Sequence, residues 1–215
     1  MNNNSSKQIL LSVIGVAILV VAVVGVSFAF FTYTRTGSQN NTITTGSIVF
    51  NFTDGSDTIN LVDHFPISTA EGLALTGTNN VCTFTVTGKT VTGSSISYKV
   101  WAVPGDTMEG KNRFKDSEVF VNLQAVPETN ASFTPAMTST TASAISALTS
   151  DTVDTTRKLL GTGTITGTGA SISTNFTARM WVDATQVIIG EGQTYTSDEY
   201  SDLYYSMKIA VTAEA

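Results

Sequence analysis

Charge is scarce in this chain. Asp, Glu, Lys and Arg make up 13% of its 215 residues, about half the usual share. Basic residues are the rarer sign: Lys and Arg total 11 against 17 for Asp and Glu. A nucleic-acid binder needs a basic stripe to displace counterions from phosphates, and none is visible. The one local basic cluster, Lys111, Arg113 and Lys115, reads as a solvated hairpin loop. Cysteine is nearly absent too. The lone Cys82 has no partner for an internal disulfide, so stability rests on the core. Histidine is represented only by His64. Structural and catalytic zinc sites draw on three or four Cys, His or carboxylate ligands, and no His-Glu-x-x-His pattern occurs. A Ser-His-Asp triad would have to use His64, and no Gly-x-Ser-x-Gly elbow places a serine for it. Nothing in the chain looks like a catalytic centre, and nothing calls for a cofactor. Asp54, Asp57 and Asp63 read as turn residues, because calcium needs six to eight oxygens. Asp63-His64-Phe65-Pro66 reads as a surface turn.

What is present starts with a run of 23 residues without charge, ILLSVIGVAILVVAVVGVSFAFF at positions 9–31. As a helix it would rise about 34 Å, enough to cross a bilayer core of about 30 Å. Lys7 precedes it and orients the N-terminus to the cytoplasm, sending the rest outwards. Two readings fit. Ser27-Phe28-Ala29 is a small-x-small pattern for a signal peptidase, with Phe30 as the new N-terminus. The length of the run suits a retained anchor. Either way the chain is expected to be exported, extracellular or at the cell surface, with residues 9–31 in the membrane before any cleavage.

The remainder alternates. Ile48, Phe50 and Phe52 share one face of a strand. Cys82 shares a face with Phe84 and Val86. Similar runs carry Ile96, Tyr98 and Val100; Val119, Val121 and Leu123; Ile172, Phe176, Ala178 and Met180; and Tyr205, Met207, Ile209 and Val211. Thr, abundant throughout, is β-branched and suits pleated sheets. Leu160–Gly167 is diluted by glycine and reads as an edge strand. Short helices are expected at 142–148 and 197–203. The pattern predicts an all-β, antiparallel two-sheet β-sandwich preceded by a hydrophobic helix, with Phe50, Phe84, Tyr98, Val121, Phe176, Met180 and Ile209 between the sheets. Three units follow: residues 1–29 as signal peptide or membrane anchor, 30–45 as an extended arm or linker, and 46–215 as the sandwich. Trp101 and Trp181 fall in register with outward-facing residues; the first reading is that they pack under a loop or against the second sheet, the second that they offer stacking platforms to a glycan.

At the junction the chain reads Ala29-Phe30-Phe31-Thr32, then Asn41-Thr42-Ile43-Thr44-Thr45-Gly46-Ser47-Ile48. This resembles the TasA/camelysin family of secreted bacterial biofilm-matrix fibre proteins and their special signal peptides. The family pattern is an apolar stretch ending in Ala-aromatic-Phe-Ser/Asn, a polar arm, and Asn-Thr-aromatic-x-Ala-Gly-x-Leu. Thr32, Ile43 and Thr45 depart from it. The resemblance covers roughly residues 25–50. It implies a dedicated signal peptidase, a jelly-roll-like domain, and self-assembly into extracellular fibres in which the arm of one subunit completes the sheet of the next. Phe30, Phe31, Thr32, Asn41, Thr42, Ile43 and Gly46 are the arm residues this singles out. Camelysin-like members have been described as proteases, a reading the single histidine does not support. Three functions therefore stand in order: a self-assembling structural subunit whose partner is itself, a membrane-anchored β-sandwich adhesin, and a secreted protease.

Overall fold

The computed structural model describes residues 13–18, 33–36, 41–45, 48–54, 58–77, 79–137, 142–186 and 202–214. Helix α1 comprises residues 13–18. The strands are β1 (Tyr33–Thr36), β2 (Asn41–Thr45), β3 (Ile48–Asp54), β4 (Ile59–Val62), β5 (Val81–Lys89), β6 (Ser95–Pro104), β7 (Asn112–Arg113), β8 (Val119–Pro127), β9 (Ala131–Pro135), β10 (Ser143–Ala144), β11 (Lys158–Thr166), β12 (Ser171–Val182) and β13 (Leu203–Glu214). Helix α2 spans Thr69–Leu73, and a single 3-10 turn spans Ile145–Ala147. Three of the four prolines, Pro104, Pro127 and Pro135, close a strand. That is where a residue without an N–H does no harm to the ladder.

Two sheets pack face to face. One runs β1-β13-β6-β11-β9, with β4 and β7 also on β13. The other runs β10-β8-β12-β5-β3-β2. All pairings are antiparallel except the two-residue contact of β7 with β13. After the β2–β3 hairpin, the chain changes sheet at nearly every connection: β5 to β6, β8 to β9, β11 to β12. These three crossovers cluster at one end of the sandwich, where Gly167 N donates to Ser94 O at 2.8 Å and Gly169 N donates to Thr90 O at 3.0 Å. The longer segments, 105–118 and 145–157, lie at the other end. The expected all-β, two-sheet sandwich is thus the observed architecture.

Period-2 alternation fixes which side chains enter the core. Phe84, Tyr98, Val121, Phe176, Met180 and Ile209 are buried, as is Cys82; the Phe50 side chain lies outside the described set. An aromatic cluster ties the sheets together. Phe84 stacks on Phe176 with centroids 4.7 Å apart, and Phe133 meets the edge of Phe176 at 4.8 Å. Tyr98 closes the group, 6.3 Å from Phe133 and 6.5 Å from Phe176. Phe84 and Phe176 come from one sheet, Tyr98 and Phe133 from the other. On the solvent side of β5 and β12, hydroxyls pair across the strands. Thr85 Oγ1 donates to Asn175 Oδ1 at 2.8 Å, and the Thr87 and Ser173 hydroxyls lie 2.8 Å apart. This is a use for abundant Thr that helices do not offer.

Two expectations need correcting. Strand β11 is not an edge: it lies between β6 and β9. Its glycines serve the aromatic cluster instead. A Cβ on Gly163 would come within 2.2 Å of Tyr98 Cζ, and one on Gly161 within 2.3 Å of Phe133 Cζ. The rings lie on bare backbone, so glycine is a packing requirement in an interior strand. The short helix expected in the stretch 142–148 is confined to a 3-10 turn over Ile145–Ala147. The stretch also holds β10, and it exists to send Ile145 and Leu148 into the core. The helix expected at 197–203 falls largely outside the described residues, and its last residue, Leu203, begins β13.

Gly163→Ala is expected to destabilise the fold by about 1–3 kcal/mol, the usual cost of overpacking. Gly77→Ala, where an added Cβ meets nothing within 4 Å, should stay within about 0.5 kcal/mol. Urea unfolding of both variants checks the difference, and equal midpoints would refute this account of β11.

Candidate assembly edge

The arm between the apolar run and the sandwich divides into two strands. In β1, Tyr33, Thr34, Arg35 and Thr36 stand opposite Ala213, Thr212, Val211 and Ala210 of β13. In β2, Asn41, Thr42 and Ile43 stand opposite Phe52, Asn51 and Phe50 of β3. The arm is extended, and it has partners within its own chain: β1 borders one sheet and β2 borders the other. Strand pairing with the sandwich therefore already includes residues 41–45. Of the other residues singled out in the sequence, Ser27, Ala29, Phe30, Phe31, Thr32 and Gly46 lie outside the described set.

The edge that β1 occupies is built by β13. β6 pairs with Met207–Glu214 on one side of β13, so β4, at 204–207, and β1, at 210–213, share the opposite side. Without β1, that side keeps β4 and loses its partner over four residues. The strand itself is rigidly held. Met207, Ile209 and Val211 point into the core, and on the outer face Ala210 is buried against Trp101 and Val103. Trp101 Nε1 donates to Thr212 Oγ1 at 2.8 Å. The ring thus braces the two β13 residues that stand opposite Thr36 and Thr34.

Neither tryptophan is an exposed platform. Trp101 is 7% exposed and Trp181 1%. Both face outwards from their sheets as the alternation predicts, but each is covered. Trp181 lies beneath α2, where a Cβ on Gly72 would fall 2.2 Å from the indole. The helix is pinned there by Asp183. This fully buried carboxylate accepts from Thr69 Oγ1 at 2.8 Å, Trp181 Nε1 at 3.4 Å, and Thr185 N and Oγ1 at 2.9 and 2.5 Å. Ile67 N donates to Val182 O at 2.9 Å, and Ala184 N to Ile67 O at 3.0 Å. Sequence reading missed this latch. Its signal was the capping box Ser68-x-x-Glu71, in which Glu71 N donates to Ser68 Oγ at 3.3 Å and Ser68 N to Glu71 Oε2 at 2.9 Å.

The basic cluster is dispersed among carboxylates. Lys111 pairs with Asp63 at 2.6 Å, Arg113 with Asp116 at 2.8 Å and Lys115 with Glu118 at 3.3 Å. Asp63 sits at φ +55° in the turn before His64. His64 is half-buried, and burial lowers its pKa against the opposing charge of Asp63. Among the described residues, no three His, Cys, Asp or Glu side chains gather where a metal ion could be held. No protein-family model, curated protein or solved structure matches the chain.

The latch carries a pH signature. Burial raises the Asp183 pKa, but the hydrogen bonds from Thr185, Thr69 and Trp181 outweigh it and hold the carboxyl below its usual 3.8. A carboxylate depressed on folding adds stability above its unfolded pKa and loses it as pH falls through the lower folded value. Acid unfolding of the native chain should therefore steepen below pH about 4. Asp183→Ala, which orphans the Trp181 and Thr69 donors, should cost about 2–4 kcal/mol at neutral pH and flatten that acid limb. Thermal melts from pH 7 to 3 on both proteins measure it. Parallel profiles would contradict the latch.

Proposed function

We propose that this chain is an exported structural subunit that polymerises at the cell surface or in an extracellular matrix by exchanging β1 between neighbours. The observation that carries this reading is the seam of β1 on β13. It involves four residue pairs at the border of a sheet whose other strands are locked into a common core. Each backbone hydrogen bond contributes only about 0.5–1.5 kcal/mol net, so opening this seam costs a fraction of the 5–15 kcal/mol typical of global unfolding. The sandwich survives the loss of β1. The opened edge then presents unpaired N–H and C=O groups over 210–213, a template for an added strand. A β1 from a second copy restores every register pair, and because the contact is head to tail it propagates instead of closing.

Gly37-Ser38-Gln39-Asn40 separates β1 from β2, and the residues next to Tyr33 are Phe30, Phe31 and Thr32. Export rests on the apolar run 9–31. Its described part, 13–18, is helical, and Val13, Ile14, Val16 and Ile18 are all 47–65% exposed. An apolar helix with these side chains exposed among the described residues suits a segment destined for a bilayer or for removal. Among the described residues, no helix is long and apolar enough to cross a membrane. In this reading a signal peptidase cuts after Ala29, and Phe30 and Phe31 lead the mobile strand into the neighbour. The adhesin reading loses its main support with the burial of Trp101 and Trp181.

Removal of Phe30–Thr36 from the mature form tests the proposal. The truncated protein should keep its β-sheet circular dichroism and its cooperative melt, yet form no fibres by negative-stain microscopy under conditions where the mature chain does. Fibres of unchanged form from the truncated protein would reduce the arm to a linker and defeat strand exchange.

A further inference from the structure

At the end of the sandwich opposite the three crossovers, β6 stops while β11 and β13 begin. A cavity of about 310 Å³ opens there, at the lower limit of small-molecule sites. Its inner wall is apolar, formed by Val103, Pro104, Ile145 and Met207. Its rim is polar, and one group on it is strongly organised. The Arg113 guanidinium lies over the Tyr205 ring, 4.2 Å from the centroid, and pairs with Asp116 Oδ1 at 2.8 Å. Tyr205 OH donates to the same Asp116 oxygen at 2.9 Å. Among the described residues the fork is fixed by these two contacts, against its five N–H donors. Across the mouth stands Lys158. Its ammonium donates to Ser150 Oγ at 2.8 Å and has no carboxylate within ion-pairing range among the described residues. Thr155 and Thr156 line the same rim, with the Thr156 hydroxyl donating to Asp154 Oδ1 at 2.6 Å.

We propose that this cavity is a binding site for a sugar acid, a pyranose ring bearing a carboxylate, either free or at the end of an acidic polysaccharide. Three features select that chemistry. The apolar wall suits the C–H face of a sugar ring, and the threonine rim suits its hydroxyl edge. Two cations against one carboxylate leave a single net positive charge, so a monoanion is matched, whereas a phosphate dianion meets Asp116 with charge to spare. The planar guanidinium matches a planar carboxylate in two parallel hydrogen bonds. Size sets the limit: the volume holds one or two rings, so a polymer would be gripped by its terminus. The site faces away from the end where Tyr33 meets Ala213, so it is independent of the strand-exchange edge.

Nuclear magnetic resonance titration of the full chain in detergent micelles tests this, with sodium D-glucuronate as the probe. Shifts of the Met207 methyl and the Arg113 side-chain N–H should saturate with a Kd of about 1 mM, the range expected for a dozen or so heavy atoms in a small site. Lys158→Gln should weaken binding at least about fivefold, and Arg113→Gln at least about tenfold, as the loss of a bidentate charge-assisted pair predicts. Thermal melts accompany both variants. Lys158 is the deciding substitution if Arg113→Gln unfolds, because its ammonium holds only Ser150. A hyaluronan tetrasaccharide, which ends in glucuronate, that binds as tightly as the monomer identifies a polymer end as the ligand; weaker binding identifies the free acid. Glucose, acetate or inorganic phosphate binding as well as glucuronate would overturn the proposal, and so would unchanged affinity in Lys158→Gln.

Discussion

Everything in this molecule hangs from the contact of four aromatic rings across two sheets. Phe84 and Phe176 on one side and Tyr98 and Phe133 on the other close within stacking and edge-to-face distance, where each pair adds about 0.5–1.5 kcal/mol beyond area burial. No disulfide helps, since Cys82 is a buried free thiol. The rings fit only because Gly161 and Gly163 remove two Cβ atoms from the strand between them. Composition, topology and packing thus meet at one place. A chain poor in charge and cysteine holds itself together by interlocking rings with bare backbone. Its remaining strands can then be short at the borders.

The edge strand β1 is the counterpart of that rigid centre. In the proposed exchange, the bracing of β13 by Trp101 and the core would keep the acceptor edge in shape when β1 leaves. A rigid acceptor and a short, separately hinged donor are the two physical requirements for strand exchange. The described residues provide the first, and in the proposed exchange β1 is the second. Meanwhile the Asp183 latch seals the opposite sheet's outer face by covering Trp181, which would otherwise offer an apolar patch for unwanted association.

How much of this was legible in the sequence depended on periodicity. Strands with strict alternation, such as Val81–Lys89 and Ser171–Val182, announced both their existence and their buried face, because a period of two leaves no choice of side. Of the arm residues that the resemblance singled out, Asn41, Thr42 and Ile43 fall in β2, whereas Tyr33–Thr36 of β1 were not among them; the pairing partners of both strands were invisible, since register is a tertiary property. Leu160–Gly167 was misread as an edge because glycine in a strand signals either weakness or close approach, and only the ring above it tells which. Trp101 and Trp181 were placed on the correct faces, yet alternation says nothing about what covers a face. Helix α2 was missed because five residues are too few for a helical period, although its capping box was in plain view. The cavity at the end of the sandwich draws on five separate stretches of the chain, so no local pattern could disclose it.

The claim on which the functional account rests is that β1 of one copy pairs with β13 of another. Thr34 and Thr212 stand opposite each other in the ladder, at a spacing a disulfide can bridge. Two single variants, Thr34→Cys and Thr212→Cys, should be mixed, allowed to assemble and oxidised. Strand exchange predicts a disulfide between the two different chains, seen as a covalent dimer on non-reducing gels and confirmed by the cross-linked peptide. Assembled material that yields no such heterodimer, while a Thr34→Cys/Thr212→Cys double variant closes only within its own chain, would contradict the account.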